Sequence, residues 1–404
     1  MENGARQYLL TERAHYMCPQ MHFGILARIP ARYDAEKLAG TLRALQRAHP
    51  FLRSLIAEEA ESGRLYYRQQ AALTVPVAER TGEDWRRDYA ALGAQGWDLR
   101  RESLLRVLVY PAQGSFSALF AAHHLLCDGR GLLQLVTEFA RHYVRGEDPA
   151  FAPEKLIASL ADLPDGSDLP FVSRALIEDA NRRWDREGRR VSYEEYLAFE
   201  KEFVRENPVS FQTETVEGKQ LAAVLGMCRQ QGVSVNDWLI ARMLREERAQ
   251  KLVIAADIRD RLGCFRPGAM GNYSTAFSVV IRRKEKELFA LARQAAAEVA
   301  AIRSRPRREM LVLACYLHMR PALLDAAAIS ALGGFESASA AFVGGRMFGY
   351  AARDGLCVTN LGRIESDCVT EAVFIPPASP ANRKTRGVLT VNGRMKICTA
   401  VSER

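Results

Sequence analysis

The sequence predicts an α/β protein built of two units. Three observations carry that reading. The chain has 404 residues, too long for one average domain and suited to two of roughly 150–200 residues. Short apolar runs with strand character alternate with longer runs at helical spacing, the pattern of sheets backed by helices. Hydrophobic residues make up 48% of the chain, enough to build ordinary cores in both units.

The elements follow in order. Ala35 to Ala48 suits a helix, with Leu38, Leu42 and Leu45 on one face. Leu104 to Tyr110 and Phe116 to His123 suit strands, separated by the turn Gln113-Gly114-Ser115. A helix comes next, with Leu132, Leu133, Leu135, Val136 and Phe139 near one face. Pro149, Pro153, Pro164 and Pro170 then break the chain, and the charged stretch Ile177 to Asn207 is read as plain exposed helix, with a helical lid as the alternative. Lys219 to Gln230, Asn236 to Arg248 and Glu287 to Arg303 suit helices, as does a segment containing Leu311 to His318 that stops near Pro321. Leu252 to Asp257 and Thr275 to Ile281 suit strands. At the end, Gly387 to Val391 and Met395 to Val401 flank Asn392-Gly393, a good hairpin turn. These signals divide the chain into an N-terminal half at 1–150, a charged helical connector at 151–210 and a C-terminal half at 211–404.

The formal charge is +8, which favours an anionic partner. No dense basic run with interleaved aromatics occurs, so nucleic acid is not expected as a partner. Met1 to Gly4 does not open a secretory leader, and no apolar stretch approaches the ~20 residues that span a bilayer. The eight cysteines are scattered with no CxxC pair, so neither a zinc site nor a disulfide framework is expected. Free thiols in a reducing cytosol are the simpler account, which makes the expected location cytoplasmic.

The run His123-His124-Leu125-Leu126-Cys127-Asp128-Gly129 stands out against this background. Histidine takes and returns a proton near neutral pH. Consecutive strand residues point to opposite faces, so one histidine faces a reaction space while the other packs in the core. Gly129 is read as supplying a backbone angle closed to other residues at a sharp strand-to-helix turn. Asp128 is read as a helix cap or as the partner of a distant arginine. The pattern points to an enzyme.

The run resembles the HHxxxDG signature of the superfamily typified by chloramphenicol acetyltransferase. That superfamily includes peptide-synthetase condensation domains, plant-type acyltransferases, alcohol O-acetyltransferases and wax ester synthases. Other segments match its patterns in order: His49-Pro50-Phe51-Leu52-Arg53 is similar to HPxLR, and Gly232-Val233-Ser234-Val235-Asn236-Asp237 to GVTVND. Asp257-Ile258-Arg259 resembles its VDxR strand, and Met270-Gly271-Asn272-Tyr273 its GN turn. Thr359-Asn360-Leu361-Gly362 resembles SNLG, whereas the DFGWG motif of the plant-type branch is missing.

The resemblance implies two chloramphenicol-acetyltransferase-like halves, each a mixed sheet backed by helices, with a tunnel between them. It implies His124 as general base and His123 as a buried structural residue. Asp128 would turn away into a salt bridge, with Arg259 the candidate partner and Gly129 beside it. Asn272, Ser274 and Thr275 are candidates for holding substrate or an oxyanion, the alternative being a turn followed by a solvent-facing strand. Asn360 belongs to the same candidate set, and with Gly362 it is expected to shape a turn near the tunnel. Cys127 has no feature of a thiol nucleophile, and Gly129-Arg130-Gly131 lacks the remaining spacing of a phosphate loop.

The implied function is transfer of an acyl group from a thioester, acyl-coenzyme A in the first reading, to a small alcohol or amine. No metal or bound cofactor is required, and coenzyme A enters as cosubstrate. One alternative is a free-standing condensation domain using thioesters on an acyl carrier protein. Another is a non-enzymatic binding member of the same fold.

Overall fold

The structure, a computed structural model, describes residues 6–82, 84–281 and 287–403. Residues 1–4, considered above for a leader, lie outside the described residues. In chain order the strands are β1 (His22–Ile29), β2 (Ser54–Glu58), β3 (Leu65–Gln69), β4 (Val77–Glu79), β5 (Leu105–Ala112), β6 (Ser115–His123) and β7 (Val209–Glu217). They continue with β8 (Lys251–Asp257), β9 (Ser274–Val280), β10 (Gly355–Ile364), β11 (Glu371–Ile375), β12 (Asn382–Val391) and β13 (Arg394–Ser402). One sheet has the order β11-β1-β6-β5-β4, a second the order β7-β13-β12-β10-β8-β9, and β2 and β3 form a hairpin apart. Both large sheets are mixed: β4 lies parallel to β5, and β10 lies parallel to both β8 and β12. The α/β class and the two mixed sheets backed by helices are therefore as expected.

The strand that carries the histidines is central. β6 is paired on both sides, by β1 and β5, and Phe116 and Ala118 to Ala122 are fully buried. Burial on both faces is why this segment reads as a nearly unbroken apolar run. The helix Gly129–Arg145 leaves the strand end at Asp128 and stops at Gly146, whose left-handed backbone (φ 73°) suits glycine. Its Leu132, Leu135, Val136 and Phe139 enter the same core as β1 and β6, as do Leu38, Leu42 and Leu45 of the helix Ala35–Ala48. At the other end of the chain Asn392 and Gly393 both take positive φ, 49° and 73°, in the turn that joins β12 to β13.

Two expectations need correction. The connector is not a plain exposed helix. Its helices Phe171–Glu187 and Tyr193–Glu206 bury a stripe, and Ile177, Ala180 and Trp184 pack with Ala314, Cys315 and Leu323. The charged side chains between these apolar positions hid a stripe spaced at one helical turn. The boundary at 211 also fails to separate the sheets, because β11 leaves the C-terminal half to pair with β1. Without it β1, with the apolar sequence His22-Phe23-Gly24-Ile25, would be an uncovered edge, and such edges template aggregation. Among the described residues no single helix is long and apolar enough to cross a membrane.

Because β11 ties the C-terminal half into the N-terminal sheet, losing its anchor should weaken both together. Phe374 is 2% exposed. We expect Phe374→Ala to cost about 3–5 kcal/mol while unfolding in urea stays a single transition. Separate transitions for the two halves would refute this coupling.

Candidate active site

The site grows from the end of β6. His123 is the last strand residue and sits opposite His22 of β1. It is buried beside Trp97, with ring centroids 6.2 Å apart. Its Nδ1 accepts a hydrogen bond from the Leu125 amide at 3.2 Å, which places any ring proton of a neutral His123 on Nε2. Burial, with His22, His124 and Arg106 nearby, holds its pKa well below the ordinary histidine value. His123 is thus a neutral core residue.

His124 begins the turn. Its amide still donates to the Met21 carbonyl at 2.8 Å. Its ring turns away from His123's surroundings to lie 5.0 Å from the Phe23 ring and stacked on His15, with centroids 4.2 Å apart and planes 22° apart. Asn272 grips it twice. The Asn272 Nδ2 donates to the His124 carbonyl at 2.8 Å, which turns Oδ1 toward the ring, 2.9 Å from Nδ1. An amide oxygen only accepts, so His124 carries its proton on Nδ1 and leaves the Nε2 lone pair free. Burial pulls the His124 pKa below its ordinary value, with the Asp128 charge, a backbone hydrogen bond and Asn272 offsetting it only in part.

Asp128 does not orient the histidine. It caps the following helix through the Gly131 amide at 2.9 Å and pairs with Arg259 Nη2 at 2.7 Å, both on Oδ1. Its Oδ2 accepts from the Tyr273 amide at 2.8 Å, and its own amide donates to the Gly271 carbonyl at 3.1 Å. The two readings of Asp128, cap and arginine partner, describe one carboxylate. Burial opposes its charge, but Arg259 and the two amides outweigh burial and hold its pKa below the usual carboxylate value. Arg259 also donates to Asp257 at 3.0 Å.

The remaining candidates spread out. Gly129 does not use a special backbone angle; its φ is not positive. Glycine is required there for space, because a Cβ would lie 2.6 Å from Leu361 and 3.3 Å from Phe374. Asn272 spends one Nδ2 N–H on the His124 carbonyl and its Oδ1 on the ring, which leaves its second N–H as the one oxyanion donor of that amide. Thr275 is buried, and its hydroxyl donates to the Glu309 carbonyl at 3.1 Å, so it does not face substrate. Ser274 opens β9 half-buried. Asn360 accepts from the Gly362 amide at 2.9 Å, shaping an irregularity in β10 where Gly362 has φ 85°. Cys127 is fully buried, and burial pushes its thiol far up, which suits packing and not nucleophilic attack.

The cavities among the described residues include two of substantial size. One of about 370 Å³ has His22, Tyr89, Phe211 and Pro376 in its wall. The other, of about 580 Å³, is walled by Leu10, Leu160, Tyr316 and Met319 among others. His124 lines neither.

No family model matches the chain. An uncharacterized protein of Mycobacterium tuberculosis, Rv2305, is 25% identical over 276 residues. The match covers 65% of this chain and 62% of that protein, so this chain spans less than two thirds of its curated relative's length. Solved structures match far more of the fold. Polyketide synthase associated protein 5 from Mycobacterium tuberculosis superposes with a TM-score of 0.60 over 99% of this chain and 93% of its own, at 14% identity. The first condensation domain of the calcium-dependent antibiotic synthetase gives 0.57 over 98% and 91%, also at 14% identity. The chain has the condensation-domain fold. The epimerization domain from the third module of tyrocidine synthetase B shares it as well, with a TM-score of 0.58 and 14% identity over 97% of this chain and 87% of that one.

Within this condensation-domain fold, sequence reasoning missed His15. It closes the short 3-10 turn Thr11–His15, whose Thr11, Glu12 and Arg13 are all buried. A charged run such as Glu12-Arg13 carries no apolar period, so nothing in the pattern marks it as interior. The Arg13 guanidinium is paired with Asp325, a partner more than 300 residues away, which no local signal reveals.

The Asp128–Arg259 pair, with side chains 4% and 13% exposed, generates a stability prediction. Arg259→Met should cost about 3–5 kcal/mol, because it leaves the buried Asp128 carboxylate without its cation, and Asp128→Asn should cost less, because Arg259 keeps Asp257 at 3.0 Å. The double variant should lose clearly less than the sum, read from urea unfolding of all four proteins. Asp128 has a depressed pKa in the fold, so its contribution is present above the ordinary value of 3.8 and is lost as pH falls through the folded value. The gap between parent and Asp128→Asn should therefore narrow on acidification. Additive losses would show that the pair does not stabilise the fold as a unit.

Proposed function

We propose that this chain is an acyltransferase that moves an acyl group from a thioester to a hydroxyl or amine, with His124 as general base. One observation carries the reading: His124 is held with Nδ1 against the Asn272 amide oxygen, which leaves a basic Nε2 on a ring kept neutral by burial. Nε2 takes the acceptor proton as the acceptor oxygen or nitrogen bonds to the thioester carbonyl. The tetrahedral intermediate collapses, the C–S bond breaks, and the imidazolium returns the proton to the departing thiolate. The histidine ends as it began. Ser274, half-buried beside Tyr273, is the member of the expected donor set that we assign to the oxyanion, a contact worth roughly 3 kcal/mol of barrier. A tunnel between the halves that reaches His124 would hold both substrates and supply proximity.

We assign acyl-coenzyme A as donor because the charge of +8 favours its phosphates, and a small alcohol or amine as acceptor. A second reading rests on the fold shared with condensation domains, in which the donor is a thioester on a carrier protein and the product an amide. A purely binding role is disfavoured, because it leaves the free Nε2 of a tautomer-locked histidine without a task. All eight cysteines are free and buried, which supports a reducing, cytoplasmic location.

The test is thiol release from a series of acyl-coenzyme A donors with pooled alcohols and amines, in parallel with the same acyl groups on a carrier protein. His124→Ala should lose at least ~100-fold in rate while remaining folded. A general base works only when neutral, and burial lowers the pKa of His124, so kcat/KM should rise with pH and reach its half-point below 6.5. Full turnover by a folded His124→Ala protein would overturn the mechanism. Turnover only with carrier-bound acyl groups would move the assignment to the second reading.

A further inference from the structure

Among the described residues the His124 ring has no hydrogen-bonded carboxylate partner. The acidic charge that acts on it, Asp128, is committed to Arg259 and to two backbone amides. When His124 takes a proton, the new positive charge therefore meets a neutral amide at one ring nitrogen and, across its face, another imidazole. We propose that His15 is a positioning residue whose neutral ring face stabilises the His124 imidazolium formed during the reaction. The inference rests on His124 being the base.

Three observations carry it. The first is placement: the His15 and His124 centroids are 4.2 Å apart with planes within 22°. A cation over an aromatic face within about 6 Å is attracted to it. The second is charge state. Among the described residues His15 Nδ1 is buried with no hydrogen-bond partner. A cationic His15 would bury an unpaired N–H donor there, at a desolvation cost that a neutral ring avoids by leaving a bare lone pair. Burial, followed by the neighbouring His124 and His123, pushes its pKa well below the ordinary value, in agreement with that geometry. The third is anchoring. Arg13 of the same turn is paired with Asp325 in the C-terminal half. Tyr16, which follows His15, accepts from Arg100 of the N-terminal half at 3.0 Å. The turn that carries the ring is thus tied to both halves, and a buried turn of charged residues gains a purpose.

His123 and Asp128 act on the pair from the β6 end; the turn itself carries Glu12 and Arg13, and the helix Pro321–Ala331 packed on it brings Asp325 to Arg13. Glu12, pushed up to about 7 by burial, titrates in the range of interest. The comparison must therefore be made between two His15 variants that both retain Glu12.

His15→Leu removes the π-face, and His15→Phe keeps a face that cannot titrate. For His15→Leu we expect kcat to fall roughly 3- to 30-fold with KM little changed. The acid limb of kcat/KM should move to lower pH, because the imidazolium loses support. His15→Phe should restore kcat to within about 3-fold and return the limb toward its parental position. The same downward shift should appear without substrate as the NMR titration of His124. If His15→Leu does not fold, His15→Met serves as the unbranched variant without a face. Equal damage in the Leu and Phe variants would reduce His15 to packing. An unchanged kcat and acid limb in His15→Leu, beside an inactive His124→Ala, would reject this inference while leaving the base assignment standing.

Discussion

The carboxylate of Asp128 is the constraint on which the site depends. It ends β6, starts the helix Gly129–Arg145, takes the Arg259 guanidinium from just beyond β8 and receives the Tyr273 amide from the loop before β9. Those last two groups belong to the second sheet's half of the chain. A single buried charge thereby sets the distance between the halves at the place where His124 lies. Removing the arginine from such a pair typically costs ~3–5 kcal/mol, mostly through the carboxylate charge left behind.

The arrangement has a chemical consequence. Asp128 binds the residues on either side of Asn272, through the Gly271 carbonyl and the Tyr273 amide. Asn272 in turn holds His124 by its carbonyl and its Nδ1. The carboxylate therefore acts on the His124 ring at one remove, by placing a neutral orienting group. A charged orienter would raise the histidine pKa; an amide fixes the tautomer and lets burial keep the ring neutral. The stacked His15 completes that surrounding.

Much of this was legible in the sequence. The local structure from His123 to Gly129 was readable because it is set locally: an apolar strand, a polar turn and an amphipathic helix in direct succession. The Asp128–Arg259 pairing was within reach because the resemblance supplied a second motif. What failed was non-local. The grip of Asn272 on His124 was not readable, because the two are 148 positions apart. Gly129 looked like a turn glycine, whereas its constraint comes from Leu361 and Phe374. β11 reads as one more short apolar run, and only the open edge of β1 decides that it leaves its own half. His15 sits in a charged segment whose burial follows from a pairing with Asp325, and hydrophobic period says nothing about such segments.

The central claim is that His124 is a neutral base whose tautomer is set by Asn272, with Asp128 reserved for architecture. Nitrogen-15 NMR of the imidazoles at pH 7 tests it most directly. The account predicts a neutral His124 with its proton on Nδ1 and a bare Nε2, and loss of that single tautomer in Asn272→Ala. A cationic His124, or a neutral ring carrying its proton on Nε2, would contradict it.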